Sequence, residues 1–256
     1  MQAQRGRKLT KKERRIRRQQ GGDGPTNTSQ QNDRFNFTLK QINPLTDNQY
    51  NTFDSYNSGK HLLLIGSAGT GKTYVALYLA LKDIMEISEY KQIIIIRSTV
   101  QSRDQGFMPG NDKQKASYFE SPYVDIVNDL FNRGDAYQTL TNKGILKFMT
   151  TSFIRGMTFD DSLIIVDECQ SCNFHELDTI MTRVGKNSRI LFCGDVKQDD
   201  LKVGNRNKND TSGLGDLIYI TKNIKSFDIV EFTLNDIVRS GLVKEYLIAK
   251  ERFSSL

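Results

Sequence analysis

Short apolar runs alternate with helix-like segments along the chain from about residue 35 onward. The runs are HLLLIG (61–66), QIIIIRS (92–98), LIIVDE (163–168) and RILFCGD (189–195), and GILKFMTTSF (144–153) alternates like a strand. Strands without a polar face are typical of a parallel sheet buried on both sides. Helical patterns fill intervals at 72–87, 118–131 and 174–184. The pattern predicts a doubly wound α/β fold, with a mostly parallel central sheet and helices on both faces, and it leaves the strand order open.

Charge divides the chain at about residue 34. Residues 1–34 hold ten Lys or Arg and three Asp or Glu, a balance of +7, whereas the other 222 residues hold 26 and 27, a balance of −1. The basic run at 11–20 is followed by GGDGPTNTSQQND, which is typical of a flexible linker. We therefore predict a basic flexible arm over 1–34, which either contacts nucleic acid or only aids solubility, and a globular domain over 35–256.

Composition favours a protein of the cytoplasm. No apolar stretch approaches the ~20 residues that a membrane span needs, and the basic N-terminus lacks the apolar region of a secretory signal. Three cysteines without framework spacing fit a reducing compartment. We therefore expect a cytoplasmic protein that has no membrane partner.

The segment GSAGTGKT (66–73) matches the phosphate-loop pattern G-x-x-x-x-G-K-[ST] between a predicted strand and a predicted helix. Its glycines let the backbone turn so that N–H groups face an anion, and the helix N-terminus adds partial positive charge. Lys72 is expected to reach the β- and γ-phosphates of a nucleotide, and Thr73 to ligate Mg²⁺. The predicted nucleotide-binding residues are Gly66, Ser67, Ala68, Gly69, Thr70, Gly71, Lys72 and Thr73.

An acid pair, Asp167-Glu168, ends the run LIIV 94 residues after Thr73. That spacing leaves room for a strand between the two motifs, which is the layout of RecA-like ATPases. Asp167 is predicted to hold Mg²⁺ together with Thr73. Glu168 is predicted to accept a proton from the attacking water, the step that distinguishes hydrolysis from binding. We therefore assign catalytic roles to Lys72, Asp167 and Glu168.

The same run continues into two cysteines that invite a different interpretation. Cys169 and Cys172, with His175 and Cys193, make up a conceivable Cys₃His zinc set, and the first two a conceivable redox pair. Such a metal would lie beside the predicted magnesium, and Cys193 falls within an apolar strand pattern, where cysteine often serves as a small hydrophobe. Packing is therefore the favoured role of the cysteines. His61, which opens a strand, receives no role.

A further motif, GDVKQ (194–198), follows the next apolar run. If that strand neighbours the one carrying Asp167, then Asp195 or Gln198 lies beside the γ-phosphate. Gln198 is then predicted to sense the phosphate and to transmit its state elsewhere. Gly-Asp is also an ordinary turn pair, so this motif alone is weakly specific.

Taken in order, these motifs resemble those of PhoH-family ATPases over about residues 43–256. The resemblance is carried by GSAGTGKT, IIIIRSTV with GFMPG (106–110), SFIRGMTFDDSLIIVDECQ (152–170), MTRVGKNSRILFCGDVKQDDL (181–201), SGLGD (212–216) and DIVRSGLV (236–243). It implies a RecA-like core related to superfamily-1 helicases, in which ATP hydrolysis with Mg²⁺ is coupled to RNA or single-stranded DNA. The basic tail and the compactness suggest a bacteriophage version, which would work in the cytoplasm of its host.

The resemblance also implies roles outside the phosphate loop. In PLTDNQ (44–49), Gln49 resembles the adenine-reading glutamine of such enzymes. Arg239 matches the arginine of the family's D-V-V-R-H segment and is a candidate arginine finger. Arg155 is a second candidate, for a contact in trans or for RNA, and a surface ion pair is the alternative for either arginine. A single RecA-like unit per chain implies a homo-oligomer, with a hexameric ring expected from the family.

Three segments depart from the family's pattern. They are Arg97-Ser98-Thr99-Val100 for R-P-x-V, Asp167-Glu168-Cys169-Gln170-Ser171 for D-E-A-Q-N, and Val238-Arg239-Ser240 for V-R-H. Cys169 thus stands where the family has Ala, which cannot bind a metal. Gln170 is retained, and we expect it to relay the state of the acid pair toward nucleic acid. No departure removes a residue that ATP hydrolysis requires.

Three functions remain open at this point. The first is an ATP-dependent motor or remodeller acting on nucleic acid, more readily RNA. The others are an ATP-linked ribonuclease and a nucleotide-gated binding module without translocation. The acid pairs Asp160-Asp161 and Asp199-Asp200 do not mark a nuclease centre, because each is more simply a turn or a helix cap. Glu168 argues against a pure switch, since a protein that does not hydrolyse ATP has no need of it.

Overall fold

The predicted apolar runs form neighbouring strands of one sheet in the computed structural model of the protein, which describes residues 37–86, 89–98, 112–196 and 211–254. The strands are β1 (His61–Gly66), β2 (Gln92–Arg97), β3 (Leu146–Thr150), β4 (Ser162–Asp167), β5 (Arg189–Gly194) and β6 (Phe227–Phe232). The helices are α1 (Asp47–Asn57), α2 (Lys72–Glu86), α3 (Asp112–Leu130), α4 (Ala136–Asn142), α5 (Phe174–Met181), α6 (Leu214–Thr221) and α7 (Gly241–Ser254). Within these ranges the strands form one sheet in the order β3-β2-β4-β5-β1-β6, with every neighbouring pair parallel. The predicted parallel α/β fold is therefore confirmed.

The helices cover the sheet in two groups. Helix α2 contacts α1 and α3, and α5 contacts α6. The chain moves along the sheet in one direction through α2, α3 and α4, and in the other direction through α5 and α6. Because crossovers between parallel strands are right-handed, the two groups lie on opposite faces of the sheet. None of the helices in the described part of the chain is both long and apolar enough to cross a bilayer.

Burial follows the position of each strand in the sheet. Every residue of β4 and β5 is buried, and the interior residues of β1 and β2 are buried as well. The edge strands β3 and β6 are only partly buried, which explains why the run 144–153 alternates. The strand predicted there ends at Thr150, and a 3₁₀ turn at Thr151–Phe153 takes the place of its last three residues.

Helix α2 is more deeply buried than its sequence pattern suggests. A helix on a protein surface buries only one stripe of residues, but every residue of α2 from Val75 to Leu81 is buried. The helix packs against the sheet and lies between α1 and α3, so little of its circumference reaches solvent. The helix that follows the phosphate loop is therefore held firmly in place.

Strand β5 lies between β1 and β4, which is the RecA-like layout expected from the 94-residue spacing. The carboxyl ends of these three strands meet at one edge of the sheet, where parallel α/β proteins bind their ligands. The phosphate loop follows β1, the acid pair ends β4, and Asp195 follows β5. The candidate residues therefore converge on this edge.

Candidate nucleotide-binding site

The turn from β1 into α2, Gly66–Thr73, depends on glycines in left-handed backbone conformations. Gly66, Gly69 and Gly71 have φ values of +137°, +77° and +83°, which residues with side chains rarely adopt. At Gly66 space also excludes a side chain, because an added Cβ would lie 2.1 Å from the carbonyl oxygen of Phe232. The backbone therefore bends as a phosphate loop requires, and we use that name for Gly66–Thr73.

Lys72 begins α2 and folds its side chain back over the phosphate loop. Its ammonium donates to the carbonyl oxygens of Gly66 and Ser67, both at 2.8 Å. The hydroxyl of Thr70 donates to the same Ser67 carbonyl at 3.0 Å and tightens the turn. An anion seated on this loop would meet the backbone N–H groups and the Lys72 cation together.

The phosphate loop opens into a cavity of about 880 Å³, which is within the usual size range of small-molecule sites. The cavity is lined by ten of the residues predicted from the sequence: Gln49, Ala68, Gly69, Gly71, Lys72, Thr73, Asp167, Glu168, Asp195 and Arg239. Arg97, at the end of β2, adds a further cation to the wall. The structure thus brings residues that are distant in sequence into one concave, charged site.

Thr73 and Asp167 meet at the base of this cavity. The Thr73 hydroxyl donates to Asp167 Oδ1 at 2.7 Å. Two adjacent oxygen ligands of an octahedral Mg²⁺, each about 2.1 Å from the ion, lie roughly 3 Å apart. The spacing of this oxygen pair therefore fits a magnesium ion that Thr73 and Asp167 would hold, with phosphate oxygens and water as its other ligands.

The second oxygen of Asp167 is held by Tyr123, which the sequence patterns do not single out. The Tyr123 phenol, on α3, donates to Asp167 Oδ2 at 2.8 Å, and the side chain is fully buried. Burial and the charge of Asp167 raise the pKa of the Tyr123 phenol well above its ordinary value, so it remains a donor. Because both carboxylate oxygens are bonded, Asp167 is fixed with Oδ1 directed at Thr73.

Tyr123→Phe should therefore weaken metal binding more than nucleotide binding. The ring would stay packed beside Phe148, 5.7 Å between centroids, while Asp167 would lose a hydrogen bond of the charged kind, about 1.5–3 kcal/mol. We expect the Mn²⁺ affinity of the ADP complex, measured by electron paramagnetic resonance, to fall about tenfold or more. Tyr137→Phe is the matched control, since it removes a tyrosine hydrogen bond to Glu120. Equal Mn²⁺ affinities for Tyr123→Phe and the unmodified protein would contradict the orienting role.

Glu168 lies just beyond β4 in a left-handed conformation, with φ +51° and ψ +42°. Burial, and to a smaller extent the charge of Asp167, raises the pKa of the Glu168 carboxyl group above the ordinary value. The Glu168 carboxylate is therefore a stronger proton acceptor. Gln170 donates to this carboxylate and accepts a hydrogen bond from the Asp195 N–H at 3.0 Å. Gln170 therefore links the candidate base on β4 to the end of β5.

Arg239 approaches the phosphate loop of its own chain. The N–H of Val238 donates to the Gly69 carbonyl at 3.0 Å, and a Cβ added to Gly69 would lie 2.9 Å from Arg239 Cγ. The side chain is exposed on the cavity side. Arg239 thus lies beside the phosphate loop of its own chain, and its role as an arginine finger stays a prediction.

Gln49 is buried against the phosphate loop and braces it. Its amide donates to the Thr70 carbonyl at 3.0 Å and accepts from the Leu45 N–H at 2.8 Å. These bonds tie the start of α1 to the loop. The contact between Gln49 and adenine that the family resemblance implies stays a prediction.

Not every predicted position belongs to the described part of this site. Gln198 and the segment GFMPG (106–110) lie outside the described residues. Arg155 is exposed on the loop that follows β3 and contributes nothing to the cavity wall.

The cysteines are packing residues in this structure. Cys169, Cys172 and Cys193 are buried free thiols, and the first two belong to the hydrophobic core. Burial raises the pKa of all three thiols, which disfavours the thiolate that a metal or redox site needs. His175 is exposed, so it does not join them in a closed site.

The phosphate loop after β1, the acid pair at the end of β4 with β5 between them, and the all-parallel sheet define a P-loop NTPase core of RecA-like type. Within that class, the chain belongs to the PhoH family, whose model, described as "PhoH-like protein", matches residues 41–251. The family resemblance carried by the motifs is therefore confirmed.

Relatives of known name share this family. The PhoH-like protein of Mycobacterium tuberculosis is 32% identical over 215 residues, which cover 84% of this chain and 59% of that protein. The PhoH-like protein of Bacillus subtilis is 32% identical over 189 residues, covering 73% and 57%. The chain thus spans less than two thirds of the length of these relatives. Among solved structures, the Pif1 helicase from Candida albicans is similar with a TM-score of 0.36 and 15% identity, over 75% of this chain and 41% of that one.

Proposed function

We propose that this protein binds ATP with Mg²⁺, hydrolyses it, and uses the cycle to move or remodel single-stranded nucleic acid, RNA in particular, as a homo-oligomeric ring in the cytoplasm. The observation that carries the hydrolytic part is the pairing of Thr73 with Asp167 at 2.7 Å beside Glu168 and Lys72 in one cavity. A module that only binds ATP would need the phosphate loop and the Thr73–Asp167 pair. Hydrolysis also needs a proton acceptor, and Glu168, with its elevated pKa, provides one.

Each side chain has one task in this proposal. Lys72 and the loop N–H groups hold the phosphates, and Thr73 and Asp167 hold the ion, which when bound offsets charge on the phosphoryl oxygens. Glu168 takes a proton from the attacking water, while Arg239 stabilises the charge that develops on the phosphoryl group. Gln170 passes the protonation state of Glu168 to the backbone at Asp195, at the start of the segment that carries Gln198.

Nucleic acid is proposed as the partner on three grounds. The family resemblance implies it, and residues 1–34 carry a charge of +7. The loop that follows β3 also exposes Phe153 and Arg155, at the same sheet edge as the nucleotide site. A polyanion bound by the arm would release counterions, so its affinity would fall with salt. The ring is proposed from the single RecA-like unit together with the family resemblance, and the phage origin from the basic tail together with that resemblance.

The decisive measurement is the ATPase rate with and without single-stranded RNA or DNA. It should be made on protein whose oligomeric state has been determined by sedimentation. We expect single-stranded RNA to raise the rate several-fold. Removal of residues 1–34 should weaken RNA binding and flatten its salt dependence. A rate that neither nucleic acid alters would leave only an ATP switch.

The ribonuclease alternative gains no support from the described residues. Asp160 accepts a hydrogen bond from the Lys186 N–H at 2.6 Å, and Asp161 forms an ion pair with Lys91 at 2.7 Å. This acid pair therefore serves a turn, as expected, while Asp199-Asp200 lies outside the described residues. RNA cleavage that persists in Lys72→Ala would nevertheless reveal a nuclease centre independent of ATP.

A further inference from the structure

The loop after β3 exposes an aromatic ring and a cation between buried anchors. In the segment 151–159, Phe153 is 59% exposed and Met157 41% exposed, and Arg155 is also exposed. Ile154, which lies between Phe153 and Arg155, and Phe159, which follows Met157 by two residues, are buried. The segment TSFIRGMTF contains one cation and no carboxylate. Phe153, Arg155 and Met157 thus lie exposed within five residues of one anchored loop.

The anchors hold this loop in a defined shape. The Thr151 hydroxyl donates to Glu176 Oε1 at 2.6 Å, which ties the loop to α5. The N–H of Phe159 donates to the Arg183 carbonyl at 2.9 Å, on the far side of the exposed residues. Phe153 ends a 3₁₀ turn next to buried Ile154. Its ring is therefore presented by a fixed backbone, so little conformational entropy is lost when a partner binds.

The loop also lies on the same sheet edge as the nucleotide site. In the sheet register, Thr150 pairs with Arg97, and Arg97 pairs with Asp167. Neighbouring strands are about 4.8 Å apart, so the backbone at Thr150 is roughly 10 Å from that at Asp167. A ligand held at Phe153 would thus lie beside the candidate ATPase centre and remain outside the cavity.

We propose that Phe153 is a base-stacking platform for single-stranded nucleic acid and that Arg155 holds an adjacent phosphate, an inference that rests on the proposed function. An exposed ring and a cation two residues apart match the chemistry of a base and its phosphate. The carboxylates that follow in the loop, Asp160 and Asp161, are engaged by the Lys186 N–H and by Lys91. A stacked base offers no hydrogen-bond pattern to Phe153, so the contact is independent of sequence. The loop would then connect the bound single strand of nucleic acid to the sheet edge at which ATP is proposed to bind.

Binding of a fluorescein-labelled 20-nucleotide single-stranded RNA, followed by anisotropy on the full chain, tests this assignment. Phe153→Ala should weaken binding about five-fold to a hundred-fold, the range for one lost stack, and leave the salt dependence unchanged. Arg155→Ala should lower the slope of log affinity against log salt by about one, as loss of one phosphate contact does. Phe153→Tyr keeps a ring and should bind like the unmodified protein, whereas Phe153→Leu keeps only the apolar surface and should bind like Phe153→Ala.

Controls separate stacking from other causes. Tyr219→Ala removes an aromatic that is 75% exposed on α6 and should leave RNA binding unaltered. Thermal unfolding reports whether each variant is folded. Equal affinities for Phe153→Leu and Phe153→Tyr would overturn the platform, and a change of sedimentation in Phe153→Ala would instead identify the loop as a contact between copies. If the unmodified protein bound no single-stranded nucleic acid, the proposed function would fail and this inference with it.

Discussion

Glu168→Gln should nearly abolish ATP turnover while leaving ATP binding intact. Gln has the size of Glu and can still accept the hydrogen bond that Gln170 donates, but it cannot take a proton from water. The loss of a general base typically costs about 10²- to 10⁴-fold in kcat. Steady-state hydrolysis, together with binding of a labelled ATP, measures the two properties separately.

Two further variants help to interpret the result for Glu168→Gln. Glu245→Gln neutralises an exposed carboxylate on α7 and should hydrolyse ATP normally, which controls for loss of charge. Asp167→Asn should instead weaken Mg²⁺ binding, so that half-maximal turnover needs a higher Mg²⁺ concentration, since Asp167 is a proposed metal ligand. Full hydrolysis by Glu168→Gln would show that another group activates the water.

Arg239→Ala is the second variant with a large expected effect. An arginine that stabilises the transferring phosphoryl group contributes about 10³- to 10⁵-fold to kcat, and we expect a loss in that range with a small change in KM. The hydrogen bond from the Val238 N–H to the Gly69 carbonyl would remain, so the phosphate loop should keep its shape. Arg133→Ala, at an exposed ion pair with Asp135 outside the cavity, provides the arginine control and should hydrolyse ATP normally.

Mixing subunits distinguishes an arginine in cis from one in trans. Arg239→Ala lacks the arginine but keeps the phosphate loop, and Lys72→Ala lacks the loop cation but keeps the arginine. If Arg239 serves its own loop, as its contact with Gly69 indicates, mixtures of the two variants should stay inactive at every ratio. Activity that returns on mixing would assign the arginine to a neighbouring subunit.

Local patterns were enough to predict the centre of the site. The phosphate loop could be predicted because its glycines and Lys72 are adjacent in sequence, and Asp167 because a carboxylate ends a buried strand. The presence of a strand between the two followed from their spacing, and β5 occupies that place. These features could be predicted because each depends on a few residues that are adjacent in sequence.

Features that depend on packing could not be predicted in the same way. Tyr123 carries no motif, and its role depends on how α3 packs against the end of β4. Gln49 and Arg239 were proposed from the family resemblance, but their contacts with Thr70 and Gly69 depend on the placement of α1 and α7. Strand β6 has a mixed pattern because it lies at the edge of the sheet. The packing role of Cys169 and Cys172, by contrast, was already favoured from the sequence, and their burial agrees with it.

The left-handed backbone at Glu168 has a thermodynamic consequence for the whole chain. A side chain other than Gly, Asn or Asp in that region costs roughly 1 kcal/mol or more of folding free energy, a sizeable share of the 5–15 kcal/mol that stabilises an ordinary domain. The surrounding packing must supply that amount for the carboxylate to stay in place. Stability and turnover therefore impose opposite preferences on this position, and drift toward a more stable residue would end hydrolysis while nucleotide binding persisted.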